Sequence, residues 1–317
     1  MLSNRLNLSI KNLFFLFAIG VFFLTIVTIL LNAININDCQ CDVSCNRNVF
    51  FDEFKEQSEL EFKVNRLAVI IPFRERFNQL LQFIPHMSAF LRKQNISHQF
   101  FVINQVDNYR FNRGALINVG FLIARNRSTY IAMHDVDLLP LNEQLSYRFP
   151  SDGPFHISAP HLHPKYNYRT YVGGILLMQN EHFQLVNGFS NRYFGWGLED
   201  DEFYARLKEA HLKIYRPENI STNKSNTFVH LHDPNIYKRD TAKLFNQREV
   251  THKRDRQTGL KTVRFRLSSI HKLAINNIRF DVLDVELECD LKATPWCLQR
   301  FTINKKLKSF NATKAIH

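Results

Sequence analysis

The sequence predicts an α/β fold: a Rossmann-like, mostly parallel mixed sheet with helices on both faces, behind one N-terminal transmembrane helix. From Leu67 onward, short apolar runs alternate with longer amphipathic segments in βαβαβ order, which is typical of a parallel sheet covered on both faces. Before them, residues 13–31 form an uncharged apolar run of about the 20 residues that cross a bilayer as a helix.

The apolar run is interpreted as a signal anchor. A cleaved signal peptide is the alternative, but its apolar region spans about 7 to 15 residues and ends at small residues, whereas this run ends in bulky aliphatic ones. Arg5 and Lys11 precede the run and the first acid is Asp38, so the tail should stay cytosolic. We expect a cytosolic tail at residues 1–12, a transmembrane segment at 13–32 and a lumenal remainder, as in a single-pass type II Golgi membrane protein.

The lumenal part divides into a stem and a folded domain. The polar and acidic composition of residues 33–62 predicts a stem, and residues 63–317 are predicted to form the folded lumenal domain. A lumenal setting permits disulfides, and we expect Cys289 to pair with Cys297, while the pairing of Cys39, Cys41 and Cys45 stays open. Five sequons could accept N-glycans there, at Asn95, Asn126, Asn219, Asn223 and Asn311.

The positive charge is concentrated near the end of the chain. Twelve Lys or Arg residues face three acids between Lys238 and Arg279, within a formal net charge of +12. Such a segment suits an anionic partner, a diphosphate or an acidic glycoconjugate, although a solvated basic surface is the alternative. Nucleic acid is not expected in the lumen.

The elements of the folded domain follow from apolar spacing. A continuous run stopped by Pro72 predicts a buried parallel strand, and the apolar positions after it trace one helical face. In order, we predict a strand at 67–71, a helix at 76–93, a strand at 100–103, a helix at 115–124 and a strand at 130–133. Ligands of such folds bind beyond the carboxyl ends of the strands, and the chain has neither a P-loop nor a dinucleotide-binding glycine motif.

Two pairs of potential metal ligands follow predicted strands. Asp135 and Asp137 flank Val136 directly after the third strand, and carboxylate oxygens suit Mg²⁺ or Mn²⁺. His230 and His232 should point to one side of an extended segment, and imidazole favours Mn²⁺ over Mg²⁺. Asp137 with the two histidines therefore predicts a Mn²⁺ site.

A Gly-Trp-Gly segment, Gly195–Gly197, is followed by the acids Glu199, Asp200, Asp201 and Glu202. Acidic residues in the first turn of a helix are common because they interact favourably with the helix dipole, but this does not explain the glycines. They permit a hinge that swings Trp196 over a sugar ring while a carboxylate takes a proton from an attacking hydroxyl. The nearby tyrosines could add stacking or hydroxyl contacts, namely Tyr166, Tyr168 and Tyr171.

Taken together, these motifs closely resemble the β-1,4-galactosyltransferase family over about residues 65–235. The runs that carry the resemblance are Pro72-Phe73-Arg74-Glu75-Arg76, Phe111-Asn112-Arg113-Gly114, Asp135-Val136-Asp137, Tyr171-Val172-Gly173-Gly174, Gly195-Trp196-Gly197 with Glu199-Asp200-Asp201, and His230-Leu231-His232. The His-x-His and Tyr-x-Tyr-x-x-Tyr-Val-Gly-Gly runs are most similar to the xylosylprotein branch of that family. One departure is Leu198, where many members have a small or polar residue.

The resemblance implies a GT-A fold and inverting transfer of galactose from UDP-galactose to xylose on proteoglycan core proteins, with Mn²⁺ as cofactor. Asp200 would be the catalytic base, and the metal ligands would be Asp137, His230 and His232. The nucleotide-sugar would contact Pro72, Phe73, Arg74, Arg76, Phe111, Arg113, Asp135, Val136, Asp137, Trp196 and Tyr166. The acceptor would contact Tyr171, Trp196, Glu199, Asp200 and Asp201.

Two alternative functions stay open at this point. A related β-1,4-galactosyl-, N-acetylgalactosaminyl- or N-acetylglucosaminyltransferase acting on an N-acetylglucosamine-type acceptor would need the same metal and base. A metal-dependent membrane lectin could use the same aromatic residues and carboxylates to bind glycans without turnover, but it would need neither a UDP-binding arginine segment nor a base.

Overall fold

A seven-stranded sheet forms the centre of the fold in the computed structural model, which describes residues 65–299. The sheet has the order β5-β6-β3-β1-β2-β9-β8. Its strands are β1 (Arg66–Phe73), β2 (Ser97–Gln105), β3 (Tyr130–His134), β5 (Phe155–His156), β6 (Ile175–Gln179), β8 (Phe265–Ile275) and β9 (Ile278–Leu287). A separate two-stranded sheet joins β4 (Leu138–Pro140) to β7 (Phe228–His230).

Parallel pairing is confined to the middle of the large sheet. The pairings of β3 with β1, of β1 with β2 and of β2 with β9 are parallel. By contrast, β6 pairs antiparallel with both β3 and β5, and β8 pairs antiparallel with β9. The sheet is mixed as predicted, but "mostly parallel" is wrong, because half of the six strand pairings are antiparallel. The antiparallel strands lie at the edges, beyond the predicted βαβαβ unit.

Helices cover both faces of the sheet, as predicted. The helices are α1 (Phe77–Lys93), α2 (Arg113–Ala124), α3 (Asn180–Leu185), α4 (Glu199–Glu209) and α5 (Gln247–Thr251). On one face, Leu67, Val69 and Ile71 of β1 belong to the same buried cluster as α1. On the other, Ala68 and Ile70 belong to the cluster of α2. A strand that is buried on both faces needs apolar residues at every position, which explains the continuous apolar sequence of β1.

Strand β1 does not stop at Pro72, as the sequence suggested, but continues to Phe73. Its pairing with β3 ends at Ile70, and beyond that point only the pairing with β2 continues, with Pro72 opposite Ile103. A proline lacks the N–H that a strand with two neighbours uses. Pro72 is tolerated because β1 has become a strand with one neighbour.

The predicted disulfide between Cys289 and Cys297 is present. Among residues 65–299, no helix is both long enough and apolar enough to cross a membrane. The predicted membrane segment at 13–32, the stem at 33–62, the domain boundary near residue 63 and the three cysteines at 39, 41 and 45 lie outside the described residues.

Candidate active site

The predicted site residues meet at one edge of the large sheet. Arg74 and Arg76 follow β1, Arg113 begins α2 after β2, and Asp135 and Asp137 follow β3. These three strands are parallel neighbours, so their carboxyl ends meet at the same edge, where ligands bind in open α/β sheets.

Asp137, His230 and His232 converge, as the sequence predicts. Strand β7 pairs with β4 so that His230 lies opposite Leu138, and the Leu231 N–H donates to the Asp137 carbonyl at 2.7 Å. Asp137 Oδ2 lies 3.8 Å from His230 Nε2 and 3.5 Å from His232 Nδ1. The two imidazole rings are 5.6 Å apart and nearly parallel, so both lie on one side of the segment.

One carboxylate and two imidazoles are a donor set that suits Mn²⁺. Burial lowers the pKa of both histidines, which favours the neutral imidazoles that a metal requires. Among the described residues, no group of three or more His, Cys, Asp or Glu side chains is already placed to bind a metal ion. Arg76 Nη1 lies 4.0 Å from Asp137 Oδ2 and 3.5 Å from His232 Nδ1. The donors therefore fit the ion in kind, and coordination requires them and Arg76 to shift.

Arg113 joins two carboxylates from different elements. Its Nε donates to Asp135 Oδ1 at 2.7 Å and its Nη1 to Asp200 Oδ1 at 3.1 Å. Burial opposes the charge of Arg113, but the two carboxylates outweigh this effect and raise its pKa. Arg113 is thus a fixed cation that holds Asp200 at the start of α4 against the loop that follows β3.

The acids at the start of α4 have different surroundings. Glu202 is buried and pairs with Arg206 at 2.8 Å and with Arg254 at 2.6 Å, so it serves the core. Glu199 has a buried Oε2 with no hydrogen-bond partner among the described residues, and burial raises its pKa. This carboxylate oxygen is left free for a ligand.

Asp200 has the surroundings of a general base. Desolvation and the neighbouring Glu199 raise its pKa well above the ordinary value, while Arg113 acts in the opposite direction. A carboxylate with a raised pKa is a better proton acceptor near neutral pH. The pKa of Asp201 is also raised, because the effect of burial exceeds the opposing effect of a hydrogen bond from Tyr168.

Gly173 lets Asp200 approach Tyr171. A Cβ atom at Gly173 would lie 2.3 Å from Asp200 Oδ2 and 2.7 Å from Tyr171 Cε2. Any side chain at this position would displace one of these groups. The Asp200 carboxylate and the Tyr171 ring therefore lie side by side because Gly173 leaves the space open.

The three predicted tyrosines and His163 form an aromatic cluster centred on Tyr171. The ring of Tyr171 lies 5.1 Å from that of Tyr166 and 5.5 Å from that of Tyr168, and His163 lies 5.2 Å from Tyr171 and 5.1 Å from Tyr166. The hydroxyl of Tyr166 is buried without a hydrogen-bond partner within residues 65–299. The cluster offers aromatic faces and a free hydroxyl beside Asp200, which suits a sugar.

Trp196 is 44% exposed and is held mainly through its backbone. Its N–H donates to the Asp240 carbonyl at 2.8 Å, and its carbonyl accepts from Lys243 Nζ at 3.1 Å. The Arg239 guanidinium lies 5.0 Å from the centre of its ring. Gly195 has a φ of 84°, and a Cβ there would meet the Arg110 guanidinium. The segment that follows β7 therefore holds Trp196 in place through Arg239, Asp240 and Lys243.

Not every predicted nucleotide-binding residue presents its side chain. Pro72, Phe73 and Val136 are buried, so they can line a site only through their backbone. Arg74 donates to the carbonyls of Gln105, Tyr109 and Asp107 at 2.7–3.0 Å. Its guanidinium lies 6.0 Å from the Phe111 ring. Arg74 therefore fixes the loop between β2 and α2, which carries Phe111 and Arg113.

Sequence reasoning missed three residues of this site. Arg239 lies over both Trp196 and Tyr166, His163 joins the tyrosines to His230, and the Tyr237 ring lies 3.9 Å from the Arg76 guanidinium. No motif marked His163 or Tyr237, and for Arg239 the available signal was the basic run that begins at Lys238. It indicated an anionic ligand but not which of its members reaches the site.

Comparison with known families gives two adjacent matches. Residues 58–150 match the model described as the N-terminal region of glycosyl transferase group 7. Residues 153–231 match the model described as the N-terminal domain of galactosyltransferase. Together these ranges contain every predicted site residue except His232.

Relatives and solved structures agree with the family models. Beta-1,4-galactosyltransferase 7 of Drosophila melanogaster is 54% identical over 235 residues, covering 74% of this chain and 73% of the relative. Xylosylprotein 4-beta-galactosyltransferase of Caenorhabditis elegans is 43% identical, covering 81% and 90%. A crystal structure of an Asp-to-Asn mutant of the Drosophila enzyme with manganese, UDP-Gal and xylobiose is 53% identical, with a TM-score of 0.73 over 74% of this chain and 99% of that one.

Proposed function

The chain belongs to the β-1,4-galactosyltransferase family, and we propose that it transfers galactose from UDP-galactose, in β-1,4 linkage and with inversion, to xylose on proteoglycan core proteins. The observation that carries this proposal is the 53% identity to an enzyme crystallised with manganese, UDP-Gal and xylobiose. The chemistry of the site supports it, because a metal-type donor set, a carboxylate base and an aromatic cluster lie along one edge of the sheet.

The residues that would hold Mn²⁺ are Asp137, His230 and His232, whose carboxylate and neutral imidazoles fit this ion in kind. When bound, Mn²⁺ neutralises the negative charge that develops on the diphosphate of UDP. Arg76 lies against the same carboxylate and imidazole, so its guanidinium supplies a further positive charge beside the diphosphate. Once these groups are in place, positive charges beside the developing negative charge are worth several kcal/mol in the transition state.

Asp200 accepts the proton of the attacking hydroxyl. The xylose O4 forms a bond to the anomeric carbon of galactose, the bond from that carbon to the UDP oxygen breaks, and the hydroxyl proton passes to Asp200. Arg113 holds the carboxylate in place through its 3.1 Å hydrogen bond. A single displacement converts the α-linked donor into a β-linked product.

The aromatic cluster positions the sugars. Tyr171 lies beside Asp200, so a sugar packed against this ring presents a hydroxyl to the base. Trp196 follows Gly195 and precedes Gly197, both with positive φ, and can cover the sugar from the opposite side. Glu199 supplies a free carboxylate oxygen for a sugar hydroxyl.

Transfer assays with the full-length chain test this function. With Mn²⁺, UDP-galactose and a β-xyloside we expect a disaccharide whose anomeric coupling in NMR is that of a β-linkage. Transfer to an N-acetylglucosamine acceptor but not to xylose would support the related transferase instead. Sugar binding without any product from a panel of UDP-sugars would support the lectin.

The same proposal includes a location. The apolar run at 13–31 with basic residues before it supports a single-pass type II protein of the Golgi membrane, and the disulfide between Cys289 and Cys297 suits a lumenal catalytic domain. Protease protection of the C-terminal part in intact microsomes is the expected result. Digestion of that part without detergent would contradict this topology.

A further inference from the structure

A basic cleft lies behind the aromatic cluster. It measures about 350 Å³ and is lined by Pro160, His161, Asn167, Arg169, Arg216 and Lys224. No Asp or Glu lines it in the described part of the chain. Three cationic side chains therefore face one space without a carboxylate, and the resulting positive field favours an anion there.

Arg216 is a half-buried cation of this cleft. Its Nη2 donates to the carbonyls of Arg169 at 2.9 Å and Tyr171 at 3.4 Å, while its Nε is buried with no hydrogen-bond partner among residues 65–299. Burial lowers the pKa of Arg216, and the charge of Arg169 lowers it further. A guanidinium that is desolvated beside another cation and has a free donor is suited to an anion.

The neighbouring cleft on the other side of Arg216 is different. It is also lined by Arg148, but Asp152 and Glu218 face it as well. Its charges are therefore balanced by the chain itself. The unbalanced charge belongs to the cleft that borders the tyrosines.

Tyr171 connects the basic cleft to the catalytic edge. Its carbonyl faces Arg216, whereas its ring lies beside the Asp200 carboxylate. Asn167 and Arg169 of the cleft also alternate along the chain with Tyr166 and Tyr168 of the aromatic cluster. A polypeptide whose sugar rests on the tyrosines would therefore have the cleft within reach.

We infer that this basic cleft binds acidic side chains of the acceptor polypeptide that flank the xylosylated residue. This inference rests on the proposed function, because it concerns the protein part of the same acceptor. The site then recognises xylose through the aromatic cluster and its protein context through Arg169, Arg216 and Lys224. Exposed ion pairs are worth about 0.2–1 kcal/mol each, so the cleft acts on preference among acceptors and not on the chemical step.

The test compares three acceptors of the full-length chain: a xylosylated peptide with Asp and Glu around the sugar, the same peptide with Asn and Gln, and a plain β-xyloside. The double variant Arg169→Gln, Lys224→Gln removes two cations of the cleft, of which Arg169 is exposed and Lys224 is half-buried. The matched control Arg125→Gln, Lys253→Gln removes two exposed cations elsewhere. Arg216 is kept because it also bonds to the Tyr171 carbonyl.

We expect the unaltered chain to have a KM about fivefold lower for the acidic peptide than for the amide peptide, with the difference shrinking as salt rises. The cleft variant should lose this difference and keep its activity on the β-xyloside, and the control should keep both. Equal KM values for the two peptides, or a preference that survives in the cleft variant, would overturn the inference. Absence of transfer to all three acceptors would instead overturn the proposed function. In that case, salt-dependent binding of the acidic peptide measured by fluorescence anisotropy, lost only in the cleft variant, would still support the cleft.

Discussion

Arg113 Nη1 donates to Asp200 Oδ1 at 3.1 Å while Arg113 Nε holds Asp135 at 2.7 Å. One guanidinium thus ties the proposed base on α4 to the loop beyond β3 that leads to the proposed metal ligand Asp137. The position and the protonation of Asp200 therefore depend on a residue that need not touch the acceptor.

The first prediction is a change in pH dependence in Arg113→Gln. Transfer requires ionised Asp200, so the rate falls as the pH drops below its pKa. Arg113 lowers that pKa against the effects of burial and Glu199. Removing the cation raises the pKa further, and the acidic limb of the kcat/KM profile should move to higher pH. Arg125→Gln is the control, and an unmoved limb in Arg113→Gln would refute this electrostatic role.

The second prediction concerns the metal. His232→Ala and Asp137→Ala should each lose Mn²⁺-dependent binding of UDP, because one of three ligands is removed. Calorimetry with UDP, with and without Mn²⁺, measures this directly. His252→Ala serves as control since this histidine is exposed and lies at the end of α5. Undiminished Mn²⁺-dependent affinity in folded His232→Ala would remove His232 from the ligand set.

The central fold could be predicted because its signals are local. Strand β1 is buried along its length apart from its first residue, Arg66, and a strand of that kind has to be apolar throughout. The pairing of β2 with β9 has no such signal: Gln99 donates to Asp281, which is 182 residues away. Contacts at that separation depend on the assembled sheet, so β9, and with it the antiparallel edge strand β8, was missed.

The site residues likewise fall into those that a local sequence motif could predict and those that only the folded chain reveals. Asp137 and His230 belong to short motifs placed after apolar runs, and the two segments are brought together by pairing of β4 with β7. Arg239 has no motif of its own and resembles its basic neighbours in the sequence. Only the folded chain places it over Trp196, so its role had to come from the structure.

The third prediction is closure around the donor. Trp196, Ile236 and Phe245 are 44%, 69% and 60% exposed, and segments with little apolar burial open at low cost. UDP with Mn²⁺ should therefore slow proteolytic cleavage between residues 190 and 250, while the rate of cleavage elsewhere stays the same. Mass spectrometry of the fragments over time measures both rates. Equal cleavage of this segment with and without the ligands would exclude closure.

The last prediction isolates proton transfer. Asp200→Asn keeps the shape of the side chain and can still accept a hydrogen bond from Arg113, but it cannot take the proton of the acceptor hydroxyl. Loss of a general base costs about 10² to 10⁴ in rate, so transfer to xylose should nearly stop while UDP-galactose and Mn²⁺ still bind by calorimetry. Asp201→Asn is the matched control: its carboxylate accepts a hydrogen bond from Tyr168, and its loss should affect the acceptor KM more than kcat. If Asp200→Asn transferred galactose at close to the parent rate and Asp201→Asn did not, the base would be Asp201.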